Sequence, residues 1–205
     1  MIDLNPGLGT ADLLLDLEPE RSWADLLPVV DELTAQHLRL AVTGYGQSLD
    51  FLACPSSLGE GWMIEKEDVK SILAAFREEY EVVLLDTFPG GGEMNRAAYV
   101  LSNIRLVVLT PDAPALQATR RFLAAMPKNE KMTALVINQH SPGAALRPRE
   151  IADHLQERLL GTLPVDPSGI WSNVSYGQPC VSQKNSTWGK SVRQLSIILM
   201  SYMDQ

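Results

Sequence analysis

Apolar and polar positions along the chain switch repeatedly between two periods. Residues 67–80 carry Val69, Ile72, Leu73, Phe76 and Tyr80 at the 3–4 spacing of an amphipathic helix. Residues 81–85 follow as a short apolar run that reads as a strand. The second half repeats the alternation. Residues 94–104, 115–126, 148–159 and 190–203 read as helices. Residues 105–110, 132–137 and 160–163 read as strands, closed by Pro111, Asn138 and Pro164. The first half is less regular. Residues 10–17 read as helix or turn. Ser22 is placed to cap a short helix from Trp23, with Asp25 at its third position. Residues 31–40 read as further helix, and residues 49–53 as a short strand stopped by Pro55. Strands separated by single helices predict an α/β fold, with an open, mostly parallel sheet and helices on both faces. In such sheets ligands bind outside the carboxyl ends of the strands, where Asp86, Thr110, Asn138 and Pro164 fall.

Size and charge narrow this picture. A length of 205 residues predicts a single domain. A formal net charge of -8 argues against a general or sequence-specific nucleic-acid binder, which needs clustered Lys and Arg. Arg120, Arg121, Lys128, Lys131, Arg147 and Arg149 lie close in sequence, and read as a solvated face or a local basic patch. Cys54 and Cys180 are the only cysteines, too few and too far apart for a disulfide framework or a metal cluster. His37, His140 and His154 show no ligand spacing. The first residues carry no signal-peptide pattern, and no apolar run approaches the roughly 18 residues of a membrane span. The expected location is cytoplasmic.

The candidate chemistry centres on Val82-Val83-Leu84-Leu85-Asp86, which ends in a carboxylate and breaks into Thr87-Phe88-Pro89-Gly90-Gly91-Gly92. This is how a buried parallel strand reads when it delivers an acid to a sheet edge beside a phosphate or metal site. Gly90-Gly91-Gly92 reads equally as a phosphate-sensing loop or a plain turn. Asp3 reads as a site acid or as a surface acid of a frayed terminus, and Asn138 as a ligand contact or a turn cap. The lone pair in Gly7-Leu8-Gly9 is uninformative by itself. Trp23, Trp62, Trp171 and Trp188 stand beside expected loops. No G-x-G-x-x-G opens a helix after a strand, which disfavours a dinucleotide enzyme, and no G-x-x-x-x-G-K-[ST] occurs in the 205 residues.

Several segments together carry a family resemblance. Asp3-Leu4-Asn5-Pro6-Gly7-Leu8-Gly9-Thr10, followed by the leucine-rich residues 13–19, resembles the segment after the second strand of ParA/MinD-type ATPases. Leu84-Leu85-Asp86-Thr87-Phe88-Pro89-Gly90 resembles the Walker B and switch II segment of that family. Val136-Ile137-Asn138 and Leu163-Pro164-Val165-Asp166 are similar to its adenine-side strand end and loop. Leu109-Thr110-Pro111-Asp112 and Tyr176-Gly177-Gln178-Pro179 match in order. The likeness is colinear from Asp3 to about Met203 and looks closest to the CpaE/TadZ branch, which localises Flp (tad) pilus assembly.

The resemblance implies a P-loop NTPase-like domain over residues 1–205 that lacks the first strand, P-loop, first helix and second strand. It implies ATP and Mg in an intact member, with Asp86 in the magnesium shell. It places Asp3 and Asn5 by the γ-phosphate, and Asn138, Pro164, Val165 and Asp166 around adenine. Two departures follow. The phosphate-holding loop is not among these residues, and Asn5 stands where the family has a carboxylate. Asn carries no charge and holds no acidic proton. The chain as given is therefore expected neither to hydrolyse ATP nor to bind a cofactor.

An absent first strand leaves one edge of the strand at 81–85 open. An internal start in a longer reading frame, closure of the sheet by its remaining strands, or a strand supplied by another chain each accounts for that. A homodimer, pilus-assembly or polar-localisation partners and only indirect membrane contact complete the expectation. The closing helix is expected to pack on the sheet, because it carries only Lys190 and Arg193 for a lipid-facing side. The competing function is a non-catalytic scaffold or dimerisation module of the same fold.

Overall fold

The computed structural model describes residues 1–5, 9–56, 64–88, 90, 92–127, 131–166, 176–179, 181, 183 and 186–203. Pro6, Gly7, Leu8, Trp62, Pro89, Gly91, Lys128, Trp171 and Cys180, named above, lie outside them. The chain divides into two compact units, Met1–Leu101 and Ser102–Gln205.

The first unit is built around a two-residue strand, β1 (Ile2–Asp3). It is flanked on both sides. On one side β4 (Leu85–Asp86) pairs with it in parallel, Ile2 against Leu85 and Asp3 against Asp86. The Ile2 N–H donates to the Leu84 carbonyl and the Leu4 N–H to the Asp86 carbonyl. On the other side the Asp3 N–H donates to Leu52, and the Leu52 N–H to Met1. Alternate amides thus serve opposite neighbours, as a strand interior requires. Leu52 follows an antiparallel hairpin of β2 (Thr43–Tyr45) and β3 (Leu49–Phe51).

Helices α1 (Ala11–Leu14), α2 (Ala35–Ala41), α3 (Lys66–Glu79) and α4 (Glu93–Leu101) complete the unit, with a 3₁₀ helix at Trp23–Glu32. Val69, Ile72, Leu73 and Phe76 of α3 are buried, the stripe that their spacing predicts. They join Ile2, Leu4, Trp23, Leu26, Leu38, Leu52, Ala97 and Ala98 in one core.

In the second unit β5 (Ile104–Leu109), β6 (Met132–His140) and β7 (Arg158–Pro164) form a parallel sheet in that order. β6 is central, and Ala134–Ile137 are buried on both faces. Leu116 from α5 (Ala113–Ala125) and Ile151 from α6 (Pro148–Leu155) pack against Leu109, Leu135 and Ile137. On the other face α7 (Thr187–Met203) lays Trp188, Val192, Leu195, Ile198 and Tyr202 against Ala134, Val136, Leu160 and Leu163. The closing helix therefore packs on the sheet. A Cβ on Gly161 would press into the Leu195 side chain, so glycine sets how closely this helix approaches β7. Among the described residues no helix is long and apolar enough to cross a membrane.

The α/β class with parallel strands is as the sequence predicts, and most boundaries fall within a few residues. Four local expectations change. The strand expected at 81–85 is ordered as a ladder only at Leu85–Asp86, because its partner β1 has only two residues to offer. The helix expected at 31–40 is split: the 3₁₀ helix ends at Glu32, and Thr34 caps α2 by accepting from the His37 N–H. The strand expected at 49–53 is the second arm of a hairpin whose first arm, β2, gave no apolar signal. The helix read at 148–159 stops at Leu155, where Gln156 turns left-handed (φ 56°) and releases the chain into β7.

Candidate functional site

The two parallel strands of the first unit end side by side, each on an aspartate. Asp3 is the last residue of β1 and Asp86 the last of β4, and they face each other in register. Asn5, two residues beyond Asp3, ties them together. Its Nδ2 donates to Asp3 Oδ1 at 2.7 Å and to Asp86 Oδ2 at 3.0 Å. Its backbone N–H donates to the same Asp3 oxygen at 2.9 Å. The acceptors fix the amide's orientation, since the reverse would set an amide oxygen against two carboxylates. Asn5 Oδ1 is buried and has no hydrogen-bond partner among the described residues.

Asp3 is held from every side. It is 1% exposed. The indole Nε1–H of Trp23, itself fully buried, donates to the Asp3 carbonyl at 3.1 Å. Cys54 and Gly9 close on the carboxylate: a Cβ on Gly9 would overlap both the Asp3 carboxylate and the Cys54 sulfur. The 3₁₀ helix that carries Trp23 starts at a capping box between Ser22 and Asp25, the feature the sequence predicts there.

Burial pushes the carboxyls of both Asp3 and Asp86 above the ordinary aspartate value, against the lowering effect of the Asn5 donors. Burial, then the neighbouring Asp3 charge, pushes the Cys54 thiol up to about 11. So high a value leaves the thiol protonated and unreactive at neutral pH. Two carboxylates and an amide oxygen are hard oxygen donors, the set that suits Mg²⁺ directly or through its waters. The unpartnered Asn5 oxygen is an acceptor that a donor such as a metal-bound water would satisfy. Among the described residues there is no group of three or more His, Cys, Asp or Glu side chains that would hold a metal ion by themselves.

The remaining sequence candidates lie in the second unit. Asn138 is near the end of β6, and its Oδ1 accepts from the Gln139 N–H at 2.9 Å. Pro164 ends β7 opposite His140, and the Val165 N–H donates to the His140 carbonyl at 3.2 Å. Val165 is exposed and Asp166 partly so. Asp112 caps α5 by accepting from the Ala115 N–H, and Thr110 donates to its carboxylate. These contacts hold its carboxyl below the usual range.

Sequence reasoning missed three parts of the first unit's cluster: the Trp23 anchor, the Cys54–Gly9 wall and Asn95. Asn95 stands on the buried stripe of α4 with Ala97 and Ala98, and a polar residue on an apolar stripe is the signal that was available. Trp23 had only its place one residue after a cap.

No protein-family profile matches the chain. The septum site-determining protein MinD of Bacillus subtilis (strain 168) is 24% identical over 186 residues, 87% of this chain and 69% of that protein. Among solved structures, a ParA family ATPase from Chlorobium tepidum TLS superposes with a TM-score of 0.85 at 18% identity, over 97% of this chain and 83% of that one. The septum site-determining protein MinD of Pyrococcus horikoshii OT3, complexed with Mg-ADP, gives 0.77 at 16% identity, over 95% and 80%. At these identities the structural likeness is one of fold.

Proposed function

We propose, for a chain with the fold of the ParA/MinD-type P-loop ATPase superfamily, that residues 1–205 are a single domain of a positioning protein of the CpaE/TadZ kind. Its task would be to mark a cell position for Flp (tad) pilus assembly, as a cytoplasmic homodimer that reaches the membrane only through partners. One observation carries the reading: Asp3 and Asp86 end adjacent parallel strands and are bridged by Asn5. Strand carboxyl ends are where such sheets take ligands.

In this reading Asp86 faces the shell of Mg²⁺, and Asp3 and Asn5 lie toward the γ-phosphate. Asn138, Pro164, Val165 and Asp166 serve adenine. Bound Mg²⁺ would offset phosphate charge. The donors at Asp3, Asn5 and Asp86 fit the metal; the polyphosphate finds no matching grip, because these residues include no G-x-x-x-x-G-K-[ST] loop. A neutral Asn5 also takes up no proton from an attacking water. We therefore expect no ATP turnover from the 205 residues by themselves. Saturable hydrolysis by the purified chain, abolished in Asp86→Ala, would contradict this.

A second reading is a non-catalytic scaffold of the same fold. It is favoured by the Asn5 bridge, which gives each carboxylate a hydrogen-bond donor without any metal. Calorimetry with Mg²⁺ and with Mg·ATP, beside light scattering for mass, separates the two. Heat lost in Asp86→Ala supports the metal-facing site. Stable self-association with no heat supports the scaffold.

A further inference from the structure

The backbone that follows Asp86 is bonded to a buried side chain of α4. The side-chain Nδ2 of Asn95, three residues into α4, donates to the Phe88 carbonyl at 2.6 Å and to the Gly90 carbonyl at 3.2 Å. Those carbonyls lie two and four residues after Asp86. Asn95 is 5% exposed, and its Oδ1 has no partner among the described residues. Two carbonyl acceptors fix which end of the amide faces the loop. The loop is also closed from its own side: a Cβ on Gly90 would sit 2.9 Å from the Phe88 ring. The Phe88 ring thus lies against Gly90 while both carbonyls are pinned to the first turn of α4. The buried amide pairs its Nδ2 and leaves its Oδ1 unpaired, a partly satisfied polar group of the kind that costs stability.

We infer that Asn95 is a positioning residue for the metal-facing carboxylate: it clasps the loop leaving Asp86 and so holds Asp86 in line with Asp3. Asn5 fixes the carboxylate by its oxygen, and Asn95 fixes the main chain that carries it. The inference rests on the reading of Asp86 as a metal-facing acid. Outer residues that orient a ligand typically change metal affinity by about 10–100-fold when replaced.

The test uses the full chain and Mn²⁺ as the probe metal. Hydrogen exchange reads the amides of residues 88 and 90–95, and Mn²⁺-induced relaxation of the Asp86 carboxyl carbon reads affinity. Asn95→Ala removes both donors. Asn95→Asp sets a carboxylate against both carbonyls, and Asn95→Gln keeps the donors on a longer arm. Gly90→Ala presses a methyl into the Phe88 ring, with only ordinary contact (3.9 Å) to Asn95 Nδ2, and stands in if a change at 95 prevents folding. The expected result is faster loop exchange, with Mn²⁺ affinity about tenfold or more weaker, in Asn95→Ala, Asn95→Asp and Gly90→Ala. Asn95→Gln should recover part of both. Unchanged loop exchange in Asn95→Ala overturns the clasp. Faster exchange with unchanged affinity overturns the positioning role and leaves Asn95 a structural residue. Failure of the underlying reading shows itself differently, as no Mn²⁺ effect at Asp86 in the unmodified chain.

Discussion

The two units end their strands in opposite ways. In the first, the polar residues at the strand ends are sunk into the protein and joined across long stretches of chain: Asn5 to Asp86, and Trp23 to Asp3. In the second, Asn138 and Asp112 bond to near neighbours. Asn138 takes the next residue's N–H, and Asp112 takes the hydroxyl of Thr110 and the N–H of Ala115. A local turn contact costs little and replaces water. A buried, non-local cluster of two acids and an amide carries a desolvation penalty that its internal hydrogen bonds offset only in part. The raised carboxyl pKa values of Asp3 and Asp86 are that penalty made visible, and Asp112 shows the reverse. In the proposed reading, the metal-facing residues Asp3 and Asp86 are the ones that carry this penalty.

The contrast breaks most easily at Trp23. Trp23→Ala removes the most buried large side chain of the first unit and the donor to Asp3, and should cost about 3–5 kcal/mol in urea unfolding. A loss under about 1 kcal/mol would mean that the cluster is not anchored by the core. Next come two glycines. Gly9→Ala drives a methyl into Asp3 and Cys54 and should cost about 1–3 kcal/mol. Gly143→Ala, where a Cβ meets open space, should stay within about 0.5 kcal/mol. Equal effects would remove the distinction between the crowded site and the open loop.

A third effect is smaller and opposite in sign. Both site aspartates titrate above the ordinary value of 3.8. Between that value and the folded one, the folded chain holds more protons than the unfolded chain, so stability falls as pH rises through the folded pKa. Asp86→Asn deletes one share of that fall. The variant should melt higher than the parent at pH 7 and show less of that advantage at pH 4. A lower melting point at pH 7 would show that the Asp86 charge stabilises the fold. Smallest of all, Asn138→Ala should change stability by no more than about 0.5 kcal/mol, because the bond it loses is to the adjacent residue.

The same contrast explains what the sequence discloses. The second unit's strands are long, apolar and closed by Pro or Asn, so their positions follow from periodicity. The first unit's β1 and β4 are two residues each, and their ladder exists because a third stretch, at Leu52, lies against β1. No local period announces that. Asp86 was legible because it closes an apolar run. Asp3 and Asn5 were legible only through resemblance, and their mutual hydrogen bonds are a fact of tertiary structure. Asn95 and Trp23 act on the site through a loop carbonyl and a strand carbonyl, contacts that leave no mark on residue type.

The most direct test of the account asks whether Asp3 and Asp86 face one metal ion. Carboxyl-carbon spectra of the chain, titrated with Mn²⁺ and displaced with Mg²⁺, give the answer. The account predicts that the Asp3 and Asp86 signals broaden together at lower Mn²⁺ than the exposed carboxylates do, recover on adding Mg²⁺, and lose this preference in Asp86→Asn. Broadening spread evenly over the acidic surface, or a preference that survives Asp86→Asn, would contradict it.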